Sequence, residues 1–227
     1  MADAGVLSDV PAPSTGAPGS LADQAYESLR DRLVTLQIAP GDPLNDDALA
    51  RSLGVGRTPV REALKRLEMD RLVVTYPRRG TFATRVEIND LAYISEIRGE
   101  LEPLAAARAA RLATASARQA LRDVLDAADR LSPNAAPLDI LRADAAIHRT
   151  IYRAAANPYL QDALIRYTNL STRIWCLVMD RLDGVAGHLH EHHDLVEAII
   201  AGDADLAAQL SRGHVDRFES AVRAALF

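Results

Sequence analysis

Residues 49–64 read Leu-Ala-Arg-Ser-Leu-Gly-Val-Gly-Arg-Thr-Pro-Val-Arg-Glu-Ala-Leu, and the punctuation of this stretch decides the fold. Gly54 follows a short helical segment over 46–53 and suits the left-handed position just past a helix end. Thr58 and Pro59 then open a second helix, as N-cap and first-turn proline, which runs to about residue 70. Val60, Ala63, Leu64 and Leu67 form its buried stripe, turning Arg57, Arg61 and Lys65 to the opposite side at four-residue spacing. Toward the N-terminus, Ala22, Ala25, Tyr26, Leu29, Leu33 and Leu36 mark an amphipathic helix over 21–36, ended by Pro40, Gly41 and Pro43. In the other direction, 72–76 and 81–86 predict two short strands around the turn Pro77-Arg78-Arg79-Gly80. Helix, helix, glycine-containing turn, helix and hairpin make a winged helix-turn-helix over residues 20–86.

Charge supports a nucleic-acid surface at this place. Between Arg57 and Arg85 there are eight basic residues against three acidic ones, an excess of five in a chain of net charge −5, so the remainder carries −10. One basic segment in an acidic protein is the electrostatic footprint of a local DNA contact. Arg57 and Arg61 suit guanine, because the planar guanidinium can engage O6 and N7 together, whereas Lys65 reads as a phosphate contact. Thr58 offers a hydroxyl and a free backbone N–H near a helix N-terminus, a phosphate site. Arg78 and Arg79 at the wing tip can enter a minor groove or clamp the backbone, with Gly80 permitting close approach.

The other bulk features exclude several classes. No apolar run approaches the roughly 18 residues of a membrane span, and no basic and apolar leader is present. Cys176 is the single cysteine, so no disulfide framework exists and a reducing, cytoplasmic location is expected. Beside Trp175 it reads as a small buried hydrophobe. Residues 1–19 are rich in Ala, Pro, Ser and Gly without a hydrophobic period and read as a disordered tail.

Beyond Glu87 the pattern is helical, with breaks at Pro133, Pro137, Pro158, Gly184 and Gly202. It predicts six helices near 89–113, 116–131, 138–156, 159–181, 188–201 and 203–226, with a kink or split at Pro103. Long amphipathic helices joined by short connections imply an antiparallel bundle over 89–227, and the chain as a whole is mainly α.

Helical phase turns polar groups into that bundle. Asp144 and His148 lie one turn apart on the face of Ile140, Leu141, Ile147 and Ile151. His192 shares a face with Leu189, Leu195, Val196 and Ile199, and His214 with Ala207, Leu210 and Phe218. Buried polar groups without partners cost about 2–7 kcal/mol each, so the four should satisfy one another. One divalent metal would do so. Three imidazoles and a carboxylate suit Zn²⁺, or Ni²⁺ or Mn²⁺ in an octahedron. His193 falls on the face of His190 and Glu197, so phase favours His192, with His188 and His190 as solvated neighbours. Arg98 lies on the stripe of Leu91, Ile94 and Leu101 and faces inward, where it can grip a carboxylate ligand or pair with Glu102 or another internal acid. Arg173 is a second candidate for the same cavity.

The quoted stretch, with Leu67 and Arg79-Gly80-Thr81-Phe82, resembles the DNA-binding domain of the GntR family of bacterial regulators. That resemblance covers about residues 20 to 86 and implies that Arg57, Thr58, Arg61 and Gly80 lie at the DNA interface. The sequence departs at Gly56, where the family usually has Ser or Thr, and at Asp47, where some relatives carry a DNA-contacting arginine. The helical half resembles the FCD ligand-binding domain of the FadR branch, closest to its shorter VanR-like subgroup. Asp144, His148, His192 and His214 match that domain's metal ligands, and Arg98 matches an arginine bordering the effector cavity. What the resemblance implies is a ligand-responsive regulator: a homodimer on an inverted-repeat DNA operator, a repressor released by a small organic acid, with no membrane partner and no catalytic residues. A metal-dependent hydrolase with an incidental helix-turn-helix is the alternative. Four protein ligands without an obvious general base argue against it.

Overall fold

The computed structural model describes residues 19–132, 135–181 and 185–226, without the side chains of residues 180 and 185–190. The tail over 1–18, the breaks at Pro133 and Gly184 and the surroundings of His188 and His190 lie outside the described residues.

Helix α1 (Leu21–Val34) opens with a capping box in which Ser20 and Asp23 satisfy each other's backbone N–H. Strand β1 (Pro43–Leu44) leads to α2 (Asp46–Leu53), capped by the Asn45 side chain at one end and by left-handed Gly54, φ 66°, at the other. Helix α3 (Arg57–Met69) follows, then β2 (Val73–Tyr76) and β3 (Gly80–Ala83). The strands form one antiparallel sheet in the order β1-β3-β2, with Pro43 opposite Phe82 and Tyr76 opposite Gly80. Leu29, Leu33, Val60, Ala63, Leu67 and Leu72 are fully buried and make the core of this unit.

Three expectations are corrected here. Gly56, not Thr58, is the N-cap of α3, in extended backbone and with no side-chain cap. Pro59 is therefore the third helical residue, where its missing N–H is still one of the four that no intrahelical carbonyl accepts. The wing has a third strand, β1, whose two residues are too short to show a period. Finally, β3 ends at Ala83 rather than near 86.

Helices α4 (Asp90–Leu112), α5 (Ala115–Asp129), α6 (Pro137–Ala154), α7 (Pro158–Val178), α8 (Val185–Ala201) and α9 (Ala204–Leu226) make the bundle, with a 3-10 turn at Met179–Arg181. Among the described residues these are the expected six. Pro103 neither splits nor ends α4. A mid-helix proline costs about 3 kcal/mol, but both halves are held. Ser95, Arg98, Gly99 and Glu102 are buried before it, and Ala105, Ala106, Ala109 and Ala110 after it. Burial of that alanine row against Leu121, Ile147, Ile151 and Ile199 offsets the loss.

Helix α7 lies at the seam between the winged unit and the bundle. Leu170 packs into both cores. Arg173, 1% exposed, donates from Nη1 to Thr84 Oγ1 and from Nη2 to the Thr84 carbonyl, at 2.5 and 2.6 Å. Cys176 Sγ meets the Val34 carbonyl at 3.5 Å, and burial pushes its thiol up to about 11. At pH 8 that leaves about two orders of magnitude less thiolate than an ordinary cysteine carries. Alkylation in the native chain is expected to be slower than in the urea-unfolded chain by about that factor. Timed labelling read by mass spectrometry checks it, and equal rates in the two states would show that the seam does not protect Cys176.

Candidate nucleic-acid interface and buried metal centre

The exposed side of α3 and the wing tip carry the cations expected of them. Val60, Ala63, Leu64 and Leu67 face the core, while Thr58 and Lys65 are exposed. The side chains of Arg57 and Arg61 are 58% and 59% exposed. Each is also ion-paired to α2, Arg57 with Asp47 at 2.9 Å and Arg61 with Asp46 at 2.7 Å. Neither pair was foreseen from sequence, because the contact crosses the turn between two helices. At the wing tip Arg78 sits in left-handed backbone, φ 63°, and Gly80 at φ 99°, which places Arg78 and Arg79 on an exposed knuckle. At Gly80 any side chain would be strained by this backbone.

Inside the bundle, α6 supplies Asp144 and His148, α8 His192 and α9 His214. All four are buried, at 4, 2, 0 and 2% exposure, and one ligand atom from each lies within 4.8 Å of all the others. His148 Nε2 and His192 Nε2 are 3.2 Å apart, and His192 Nε2 lies 3.5 Å from Asp144 Oδ1. Two nitrogens bound to one ion at about 2.0–2.1 Å are separated by about 2.8–3.4 Å at octahedral to tetrahedral angles. Donor type and spacing therefore fit a divalent cation. His193 points elsewhere, with Nε2 2.9 Å from both oxygens of exposed Asp129.

The surroundings prepare these groups to be ligands. Burial, reinforced by His192 and His148, holds His214 well below the ordinary histidine range, so its ring is neutral. Its Nδ1 faces Glu191 Oε2 at 3.1 Å, and Arg217 holds the other Glu191 oxygen at 2.7 Å. A carboxylate accepting from Nδ1–H leaves the Nε2 lone pair for the centre. His148 Nδ1 meets the Tyr152 hydroxyl at 3.1 Å, which in turn lies 3.0 Å from Glu102 and 2.8 Å from Thr168. Burial raises Asp144 above the usual carboxylate range, a cost that a bound cation would reverse.

Arg98 is next to this centre. It donates from Nε to Glu102 at 2.6 Å and from Nη1 to Ser171 Oγ at 2.8 Å, and is 2% exposed. The internal acid that pairs with it is Glu102. Sequence reading did not single out Tyr152, Thr168 or Ser171. The four-residue spacing of His148 and Tyr152 was the available signal. Arg173, expected in the cavity, is instead the seam residue that binds Thr84. Its position on α7 turns it away from Ser171 and toward the wing, which single-helix phase cannot distinguish from a second cavity face.

A winged helix with an exposed cationic third helix, joined to a bundle around an Asp/His centre that can hold a metal, defines a ligand-responsive DNA-binding transcriptional regulator. The chain belongs to the FCD-containing GntR family: residues 93–217 match the FCD domain and residues 21–83 match the bacterial regulatory proteins of the gntR family. It is 26% identical over 201 residues to the HTH-type transcriptional repressor RspR of Escherichia coli K12, covering 88% of each chain. It is 29% identical over 192 residues to the Nta operon transcriptional regulator of Aminobacter aminovorans, covering 74% of this chain and 91% of that one. In fold it resembles E. coli McbR/YncC, with a TM-score of 0.80 at 22% identity over 92% of this chain and 100% of that one. These relatives are regulators, and the hydrolase alternative finds no support among them. No helix among the described residues is long and apolar enough to cross a membrane.

Proposed function

We propose that the protein is a cytoplasmic homodimeric repressor that binds an inverted-repeat operator and is released by a small organic acid. The winged unit over 20–86 docks α3 in the major groove through Arg57, Arg61 and Lys65, with Thr58 on a phosphate and Arg78, Arg79 and Gly80 at the flanking backbone. The bundle over 89–227, in keeping with the VanR-like subgroup, holds the ion, most readily Zn²⁺ with Ni²⁺ or Mn²⁺ as alternatives, on Asp144, His148, His192 and His214. When bound, the ion supplies a Lewis-acid contact to an acid's oxygen. Arg98 faces the same space and offers its remaining N–H groups to the carboxylate.

One observation carries this reading: α7 joins both sites. Its Thr168 and Ser171 contact Tyr152 and Arg98 beside the centre, while its Arg173 and Cys176 bind the winged unit. A ligand that alters the first set of contacts biases the second, and with it the spacing of two recognition helices in a dimer.

A thermal-shift screen of small carboxylates on metal-loaded protein, followed by operator release with each hit, tests the proposal. A ligand of the folded state raises the midpoint. Carboxylates that bind without changing operator affinity would refute release by an acid. Arg79→Ala is expected to weaken binding to all sequences alike and to lower the salt slope by about one unit, because a phosphate contact releases a counterion without reading a base. Titrations at several salt concentrations check it, and a changed base preference in the flanks would mean that the wing reads the minor groove.

A further inference from the structure

Asp46 and Asp47 open α2, and both reach across the turn to α3. Asp46 Oδ2 accepts a hydrogen bond from Arg61 Nε at 2.7 Å, and Asp47 Oδ1 forms an ion pair with Arg57, 2.9 Å from its Nε. Both carboxylates thus lie at the Nε edge of their guanidinium, Asp46 by a hydrogen bond and Asp47 by charge. The terminal Nη1 and Nη2 are the fork that engages O6 and N7 of guanine end-on.

Two consequences follow for DNA. A free arginine at 58% or 59% exposure samples many rotamers, and fixing it on a base costs that freedom. An arginine already held by Nε has lost part of it beforehand. The second consequence concerns charge. A neutral Arg/Asp pair displaces fewer cations from the phosphate backbone than a bare arginine does, so binding to arbitrary sequence gains little from it. The guanine contact depends on donor geometry rather than on net charge and is kept.

We infer that Asp46 and Asp47 are specificity-determining positioning residues: they brace Arg57 and Arg61 by Nε for guanine and neutralise them toward the phosphates of nonspecific DNA. The inference rests on α3 being the helix that enters the groove. Two acids on the leading edge of a DNA-binding surface would otherwise only repel the duplex. Here each is paired with a reading residue.

The test uses the full chain, an operator duplex selected by wild type from a random library, and a random-sequence duplex. In D46N/D47N the slope of log affinity against log salt on the random-sequence duplex is expected to steepen by about one to two units. The ratio of operator to random-sequence affinity is expected to fall roughly tenfold. Selection repeated with the variant is expected to lose guanine preference at the positions that R57A and R61A also lose. An unchanged ratio with unchanged base preference overturns the inference, as does a ratio that rises, which would make the acids mere repulsion. Full operator affinity in R57A and R61A would instead refute the placement of α3, and the inference with it, so the two failures are distinguishable. D47N alone, at a half-exposed carboxylate, is measured in the same way should the double variant lose its thermal transition.

Discussion

Replacing His192 by alanine is expected to empty the buried centre of metal, while His193→Ala leaves it filled. The rings are adjacent in sequence, but His192 is fully buried with Nε2 3.2 Å from His148 Nε2, whereas His193 sits at the bundle edge against Asp129. Wild-type protein should carry close to one divalent ion per chain, and His148→Ala and His214→Ala should lose it as His192→Ala does. An ion held at a thousandfold excess over its dissociation constant stabilises the folded chain by about 4 kcal/mol. For a protein of this size that corresponds to a thermal midpoint lower by about 8–16 °C when the ion is removed. Elemental analysis and thermal denaturation with and without a chelator check the two halves of the expectation. A metal-free, fully folded wild type whose midpoint ignores added zinc, nickel and manganese would leave the four residues as an internal hydrogen-bond network. Metal lost from His193→Ala but retained by His192→Ala would put the ligand one residue further along.

Arg57→Ala and Arg61→Ala should each weaken operator binding by about 5- to 150-fold, the equivalent of one lost bidentate base contact at 1–3 kcal/mol. Neither should disturb the fold. Both side chains are more than half exposed, and each is tied only to an acid at the first turn of α2, a surface pair worth about 0.2–1 kcal/mol. Titration of labelled operator, with circular dichroism as the control for folding, reads both effects. Full affinity in both variants would remove α3 from the groove.

Helix α3 and the wing hairpin were legible in the sequence because each is punctuated locally. Gly54 takes the left-handed end of α2, and the stripe Val60, Ala63, Leu64 and Leu67 is buried where its period places it. The six helices of the bundle were legible for the same reason. So was the choice of His192 over His193, since neighbours on a helix differ by about 100° and only one can face the core. Local signals failed where a neighbour intervened. Pro103 stays in an unbroken helix because tertiary burial holds both of its halves, and β1 exists only as a partner for β3.

What the sequence by itself determined is therefore which residues face inward and which outward. Period reports that quantity, and burial enforces it with several kcal/mol per misplaced polar group. What the tertiary structure decided is which inward and outward groups meet: Arg98 with Glu102 and Ser171, Arg173 with Thr84, and Asp46 and Asp47 with the Nε atoms of Arg61 and Arg57. Those meetings depend on the relative height and rotation of separate helices. Many weak apolar contacts spread along the chain set these jointly, and no single window of residues contains them.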